Sequence, residues 1–311
     1  MIGRPKPPPL DAAAKIRARV RSRQGPAAMM PDAVSALGIA VAGGPLVPLE
    51  IRRREPGPRD VVIDILFCGL CDCDVREGRG EWPAARLPLV PGHQIAGVVA
   101  RTGAGAADLE PGARVGVGAL VDSCRQCAQC RAGREQLCAG SVATYGALDP
   151  RTGEYTHGGY SKRIVVDRDF VLRIPAALEL AVAASLPCAG IRAYSTLLHH
   201  RVGPGSTVGV PGTGGGGALA VKLAAAMEAA VNVPATADPL QVVIDTGPRS
   251  PSLVGSVAET RQLLEFCAKH QVAPGFELVG AQGLNEAWER ILAADVQHGF
   301  VLDLATLGGN D

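Results

Sequence analysis

The sequence predicts an α/β fold in two parts: a β-rich part that carries a cysteine cluster, and a smaller part built on a glycine-rich turn. Three observations predict it. Short apolar runs bounded by Gly, Pro and Asp fill the first half of the 311 residues, four cysteines cluster among them, and past Pro175 the pattern changes to strand, glycine turn and apolar helix. The composition agrees, because 47% apolar residues with 39 glycines and 24 prolines describe a compact chain with many tight turns. A net charge of +1 and 4% aromatic residues give no electrostatic or stacking case for a nucleic-acid partner. No apolar run nears the roughly 18 residues that cross a bilayer, so no membrane partner is expected and the expected compartment is the cytoplasm.

Residues 1–29 stand apart. Arg4, Lys6, Lys15, Arg17, Arg19, Arg21 and Arg23 face one acid, Asp11, beside a Pro7-Pro8-Pro9 run. Targeting peptides are also arginine-rich and acid-poor, but hydroxyl residues are scarce here, and a disordered basic extension is the favoured reading.

From Pro31 the pattern is β-like. Leu49–Arg53 and Val61–Leu66 flank the turn signal Glu55-Pro56-Gly57-Pro58, and further strands are expected around Ile95–Ala100, Arg114–Val117 and Ile164–Val166. Short strands so spaced predict a sandwich or a partly open barrel. Inserted among them, Cys124, Cys127, Cys130 and Cys138 form a C-x2-C-x2-C-x7-C array. Four thiolates this close converge on a tetrahedral Zn²⁺ with no position left for substrate, a structural site. The competing disulfide reading is disfavoured by the length of the chain and by the lack of a secretory signal.

Past Pro175, Leu178–Leu186 and Ile191–His199 read as helices around Pro187-Cys188-Ala189-Gly190. A short strand, Thr207-Val208-Gly209-Val210, leads into a glycine-rich turn and the apolar helix Ala218–Ala230. Gly212, Gly214 and Gly217 occupy the three places of G-x-G-x-x-G in the strand–turn–helix context that the motif requires, against the alternative of a flexible turn. Ser256 and Glu259 form a capping box that opens a helix to about His270, with Leu263, Phe266 and Cys267 on its apolar face. Leu284, Trp288 and Ile291 mark a second amphipathic helix, and Phe300–Leu304 reads as a terminal strand.

Three more potential ligands stand singly at tight turns: Cys71 in CGLCDCD, His93 in VPGHQ and Cys188 in PCAG. Two thiolates and one imidazole leave a fourth zinc position open, as catalytic sites do. Each has a plainer explanation alone, since a buried cysteine is often a small hydrophobe. The three together, beside a zinc lobe and a glycine turn, favour the metal.

These residues resemble the zinc-dependent medium-chain alcohol dehydrogenases, in their cinnamyl-alcohol-dehydrogenase-like branch. The carriers are CGLCDCD, VPGHQIAGVV, VGVGALVDSCRQCAQC, HGGYSKRIVV, LPCAGIRAYS and LNEAWERIL. The resemblance implies a GroES-like catalytic domain with its zinc lobe over 30–177, a truncated Rossmann-like cofactor domain over 178–274, and a C-terminal segment, 275–311, that completes the catalytic domain. It implies one catalytic zinc on Cys71, His93 and Cys188, with Asp74 orienting His93, and one structural zinc on Cys124, Cys127, Cys130 and Cys138. It further implies NADP(H), with NAD(H) as the alternative, bound over Gly212, Gly214 and Gly217. The zinc would act as a Lewis acid while hydride passes between an alcohol or aldehyde and the nicotinamide. Trp82 falls where the family lines its substrate pocket, and a structural tryptophan is an equal reading.

Departures from the family cluster around the cofactor. Asp72 replaces a basic residue near the pyrophosphate site, Cys73 replaces the Ser or Thr of the proton relay, and Arg76 replaces a relay histidine. Gln94 stands for a glutamate and Arg192 for a small threonine; Pro211 ends the first strand and Gly299 takes the place of a cofactor-binding arginine. The middle of the Rossmann domain is missing, because AAAMEAA runs directly into VNVPATADPLQVV. Asp238 lies near the distance of a ribose-binding acid, but the resemblance makes it a late-loop residue. Two functions are consistent with this: an alcohol dehydrogenase or aldehyde reductase, or a zinc-binding relative that has lost its cofactor. A sheet edge bared by the missing strands predicts a homodimer.

Overall fold

The computed structural model describes residues 33–81, 86–212, 214–235, 240–245, 254–293 and 298–308. The basic extension at 1–29, Trp82 and Asp238 lie outside the described residues.

The organising element is a ten-residue strand, β3 (Asp60–Gly69), whose sequence DVVIDILFCG is buried along most of its length. A strand covered on both faces needs a near-continuous apolar run, which this one has. Two short strands precede it, β1 (Val34–Ile39) and β2 (Leu46–Ile51), and form an antiparallel pair. Along one edge β3 pairs antiparallel with β4 (Ile95–Thr102), with register shifts at Val62/Ile63 and Ile65/Phe67. Such bulges bend a strand and close a sheet toward a barrel. β4 continues to β5 (Arg114–Val117). Two small strands of the cysteine lobe, β6 (Leu120–Asp122) and β7 (Val142–Ala143), pair with each other.

The other edge of β3 is shared. Its first half pairs with β8 (Arg163–Asp167), and β9 (Val171–Arg173) pairs with β5. The second, parallel region comes next: β10 (Thr207–Gly209) lies between β11 (Ala230–Asn232) and β12 (Val242–Val243). The chain then returns, because β13 (Phe276–Val279) runs parallel to β14 (Gly299–Asp303), and β14 pairs with the last residues of β3. Residues more than 200 positions apart thus share one sheet.

Five helices frame the site and its supports: α1 (Asp72–Gly78), α2 (Ala189–His199), α3 (Gly216–Ala226), α4 (Val257–His270) and α5 (Leu284–Leu292). α4 opens on the expected capping box, with Ser256 Oγ accepting from Glu259 N and the Glu259 carboxylate accepting from Ser256 N. Its buried face is Thr260, Leu263, Leu264 and Cys267, while Phe266 lies half-buried against Tyr194. Leu264 therefore takes the core position expected of Phe266. The helix expected over Leu178–Leu186 shortens to one turn, Leu180–Ala183. α3 ends at Ala226, four residues early, because Ala230 is needed to pair beside Thr207. Among the described residues the parallel sheet has three strands, half of what a complete dinucleotide fold contains.

Candidate active site and metal centres

Cys71, His93 and Cys188 come together. Their ligand atoms lie within 4.8 Å of one another, and the two sulfurs are 3.4 Å apart. Each arrives from a different turn. Cys71 is the N-cap of α1, with extended backbone, and its sulfur accepts the Cys73 N–H. Cys188 is the N-cap of α2. His93 follows Gly92, whose φ of +103° is closed to most side chains; a Cβ there would meet Tyr160 Cδ1 at 2.6 Å and Cys68 Sγ at 2.8 Å.

Asp74 holds the cluster in register. It is fully buried and accepts from Cys71 N (3.0 Å), Gly92 N (3.3 Å), His93 Nδ1 (3.1 Å) and the Tyr160 hydroxyl (3.2 Å). Occupying Nδ1 leaves Nε2 of His93 for a metal, the arrangement by which a carboxylate fixes the tautomer of a ligand histidine. Tyr160 is tied to the same turn through the backbone, with its N donating to Pro91 O and Gly159 N donating to Gly92 O.

The electrostatics fit a bound cation. Cys188 is driven well below an ordinary thiol, by its hydrogen bonds with Cys71 and Cys73 first and by His93 after them. Cys71 is driven well up by Cys188, Cys73 and burial. Two sulfurs this close cannot both ionise without a positive charge between them. Burial alone would lower His93, but the charge and hydrogen bond of Asp74 and the contact with Cys188 override it and raise it to about 10. The pocket stabilises positive charge, and a divalent ion with soft sulfur and imidazole donors matches that demand. Cys73 sits on Cys188 and Cys71, and its thiol is pushed up to about 12 by Cys188 first. Its backbone N–H, not its sulfur, is what reaches the cluster, through Cys71 Sγ at 3.4 Å.

Sequence reasoning missed Tyr145 and Glu77. The Tyr145 ring packs 5.9 Å from the His93 ring, and Glu77 lies one helical turn beyond Asp74 on α1. Burial first, then the charges of Asp74 and Glu77, push Tyr145 well above the ordinary phenol range, so it stays a donor. Nothing in the spacing marks these residues, since only tertiary packing brings them to His93.

The four-cysteine lobe also converges, with all four sulfurs within 4.8 Å of one another. Cys127 N donates to Cys124 Sγ, Cys130 N to Cys127 Sγ and Gly140 N to Cys138 Sγ, at 3.3–3.5 Å. Backbone donors aimed at sulfur favour the thiolate, and the N–H groups of Gln126 and Cys127 lead the causes that bring Cys124 down to about 6. These are ligands suited to zinc. Between the first two cysteines, Arg125 adopts a left-handed φ of +59° and reaches Asp122 (2.6 Å) and Asp167 (3.2 Å) across the Phe170 ring.

At the glycine turn, β10 ends at Gly209 and α3 starts at Gly216, the strand–turn–helix order the motif requires. A Cβ on Gly217 would lie 1.9 Å from Gly212 O, and Gly217 N donates to Gly214 O at 3.0 Å. The helix therefore packs close against the turn, as the third glycine of the motif allows. Asp72, expected to repel that phosphate, is paired with Arg76, which also binds Glu81 at 2.8 Å. The pairing offsets its charge. Arg192 lies one turn beyond Cys188 on α2, and Gly299 N is used by Gly275 O at the start of β14.

Residues 57–176 match the family described as "Alcohol dehydrogenase GroES-like domain". The NADP-dependent alcohol dehydrogenase C 1 of Mycolicibacterium smegmatis is 40% identical, over 88% of this chain and 99% of the relative. The aldehyde reductase YahK of Escherichia coli is 36% identical over the same shares. Among solved structures, a cinnamyl alcohol dehydrogenase of Sorghum bicolor superposes with a TM-score of 0.83 at 30% identity, over 90% of this chain and 99% of that one. The enzyme of Helicobacter pylori complexed with NADP(H) gives 0.82 at 29%, over 89% and 99%. The mycobacterial alignment runs over 345 positions yet takes in 88% of these 311 residues, about 274, so roughly 70 positions of the relative have no counterpart here. No described helix is long and apolar enough to cross a membrane.

Proposed function

The chain belongs to the zinc-dependent medium-chain alcohol dehydrogenases, and from that premise we propose that it interconverts an alcohol and its aldehyde with NADP(H). The observation that carries the reading is the closure of Cys71, His93 and Cys188, from three distant turns, onto one point beside Asp74. Cys71, His93 and Cys188 would hold the catalytic zinc, and Cys124, Cys127, Cys130 and Cys138 the structural one. Bound there, zinc supplies Lewis acidity to the substrate oxygen, and the nicotinamide supplies or takes the hydride.

The chain's own residues do the rest. Asp74 fixes the imidazole tautomer, and Tyr160 and Gly92 fix Asp74. Gly212, Gly214 and Gly217 would hold the pyrophosphate at the start of α3, Gly217 by letting the helix pack against Gly212. NADP(H) is preferred to NAD(H) on the strength of the NADP-dependent relatives. Domain limits of 30–177, 178–274 and 275–311 are consistent with β14 returning to β3 across the parallel unit. The β12 edge, with Val243 49% exposed, is the surface through which two copies would pair as a homodimer.

The test combines zinc quantification with NADPH consumption on the purified chain, using aromatic and aliphatic aldehydes. Two zinc ions per chain and aldehyde-dependent oxidation of NADPH are expected. Zinc-loaded, folded protein that neither binds nor turns over either nucleotide would leave a zinc-binding relative without dehydrogenase activity.

A further inference from the structure

The four-cysteine lobe meets the rest of the molecule at a cavity of about 210 Å³ that the proposed catalysis leaves unused. Its walls come from Leu120 at the entry to the lobe, Phe170 and Leu172 of the β-rich region, and Pro187 and Val257 at the approaches to α2 and α4. Gln136 closes one side, from the single helical turn Glu135–Leu137 that precedes Cys138. None of the seven cysteine and histidine ligands lines the cavity, and neither does Asp74 or Tyr145. We propose that it is a second small-molecule site, for an uncharged one-ring aromatic compound bearing a hydrogen-bond donor, and that its occupant ties the lobe to α4.

Size, polarity and one orphaned atom define the occupant. An engineered apolar cavity of about 150 Å³ stays dry and takes up benzene, so 210 Å³ accommodates a ring with a short substituent. No charged side chain lines the walls, and an unpaired charge buried there would be costly, so the occupant is uncharged. Of the two polar side chains in the lining, Thr260 already donates to Ser256 O at 2.9 Å. The other, Gln136, has its Oε1 buried with no hydrogen-bond partner among the described residues. A buried acceptor that has lost water and gained nothing in return is destabilising, and a hydroxyl on the ring restores its bond.

The same turn is already joined to α4. The Glu135 carboxylate accepts from Val257 N at the first residue of that helix, and Val257 also lines the cavity. Gln136 stands between this contact and Cys138, one of the four lobe cysteines. An occupant bonded to Gln136 and packed on Val257 therefore braces the segment that carries the cysteine.

The test uses the zinc-loaded full chain with p-cresol and toluene, titrated by calorimetry, and follows zinc release to a chromophoric chelator. Neither probe carries a hydrogen on an oxygen-bearing carbon, so neither is a substrate for hydride transfer. One p-cresol per chain is expected, bound more tightly than toluene. Gln136→Leu, on a half-buried turn, should weaken p-cresol roughly fivefold, as loss of one hydrogen bond does, and leave toluene no weaker. Leu120→Phe, which fills the cavity, should weaken both. Cys188→Ala should bind p-cresol as wild type does, and there p-cresol should slow release of the remaining zinc severalfold. Loss of p-cresol binding in Cys188→Ala would place the phenol on the catalytic metal and overturn the site. Absence of binding at millimolar p-cresol overturns it too, as do affinities that neither Gln136→Leu nor Leu120→Phe changes. Zinc release unaltered at saturating p-cresol overturns the tie to the lobe. None of these measurements needs turnover, so the site and the dehydrogenase reading fail separately.

Discussion

The two cysteine clusters differ in how much of the fold each needs. The four-thiol lobe is built within Cys124–Cys138, from the exposed Cys124 to the buried Cys138, with backbone donors of the same segment aimed at its sulfurs. The three-ligand cluster spans 117 positions between its two sulfurs and is buried among Asp74, Tyr145 and Tyr160. One is a local structure that a short peptide could approximate. The other exists only when β3, β4 and α2 are already packed, so it reports on the whole molecule.

Removing one ligand from each cluster breaks this comparison most sharply. Cys188→Ala is expected to lower the zinc content from two to one and cut turnover on the order of 10³-fold or more, the several kcal/mol a Lewis acid contributes. Its unfolding midpoint should stay near that of wild type. Cys127→Ala is expected to lose the other zinc and to lower the unfolding midpoint, with turnover falling only as folded protein is lost. Zinc analysis beside urea titration decides it, and a Cys127→Ala protein as inactive per folded chain as Cys188→Ala would show that the lobe is not local.

A milder cut acts on the support of the assembled cluster. Asp74→Asn keeps the shape but changes which groups can donate and accept around His93 Nδ1. Losing such a carboxylate typically weakens metal binding by roughly 10–100-fold. Tyr160→Phe removes one of the four donors to Asp74 and should weaken it by less. Competition with a chromophoric chelator ranks the two, and only the assembled site should respond. On the lobe, Arg125→Ala removes the tie to Asp122 and Asp167 and the contact over Phe170. Arg125 is partly exposed, so a stability loss below about 1 kcal/mol is expected, with faster release of the lobe's zinc alone.

Legibility in the sequence divides along the same line. The lobe could be read from spacing, because its ligands are sequence neighbours. Cys71, His93 and Cys188 were legible as candidates because each sits in a short glycine- or proline-marked turn, and the family resemblance joined them. Arg114–Val117 and the capped helix ending at His270 appeared where pattern placed them, since period and capping are local physics. β1 and β13 were not foreseen. Val34–Ile39 has no clean alternation, with five of six residues buried, and β13 becomes a strand through pairing with β14. Tyr145 and Tyr160 were illegible for a related reason: each meets its partner in the site, His93 or Asp74, more than 50 positions away. The early end of α3 was hidden too, because a pairing partner for β10 had to come from the alanine-rich tail of the helix.

The smallest expected effect concerns the loop that joins the two regions of the assembled site. His157 opens the HGGY turn, where Gly158 N donates to Val90 O and Gly159 N to Gly92 O, both at 2.7 Å. Behind it the half-buried Arg53 guanidinium donates to the carbonyls of His157, Gly158 and Arg163. Burial first, and the charge of Arg53 second, lower His157 from 6.5 to about 4. Its folded value lies below its unfolded one, so the unfolded chain takes up the proton first as pH falls. The stability His157 contributes is therefore complete above about pH 6.5 and lost progressively between 6.5 and 4. Asp60 titrates in a separate window. Burial alone raises it, but hydrogen bonds from Arg54 and Gly57 and the charges of Arg54 and Arg151 hold it below its ordinary 3.8, so its loss comes at lower pH. Hydrogen exchange read at the amides of Gly158–Tyr160, corrected for intrinsic rate, should show protection declining from pH 6.5 to 4.5 in wild type and much less in His157→Gln. Equal decline in both proteins would place the acid sensitivity of this turn in the metal ligands rather than in His157.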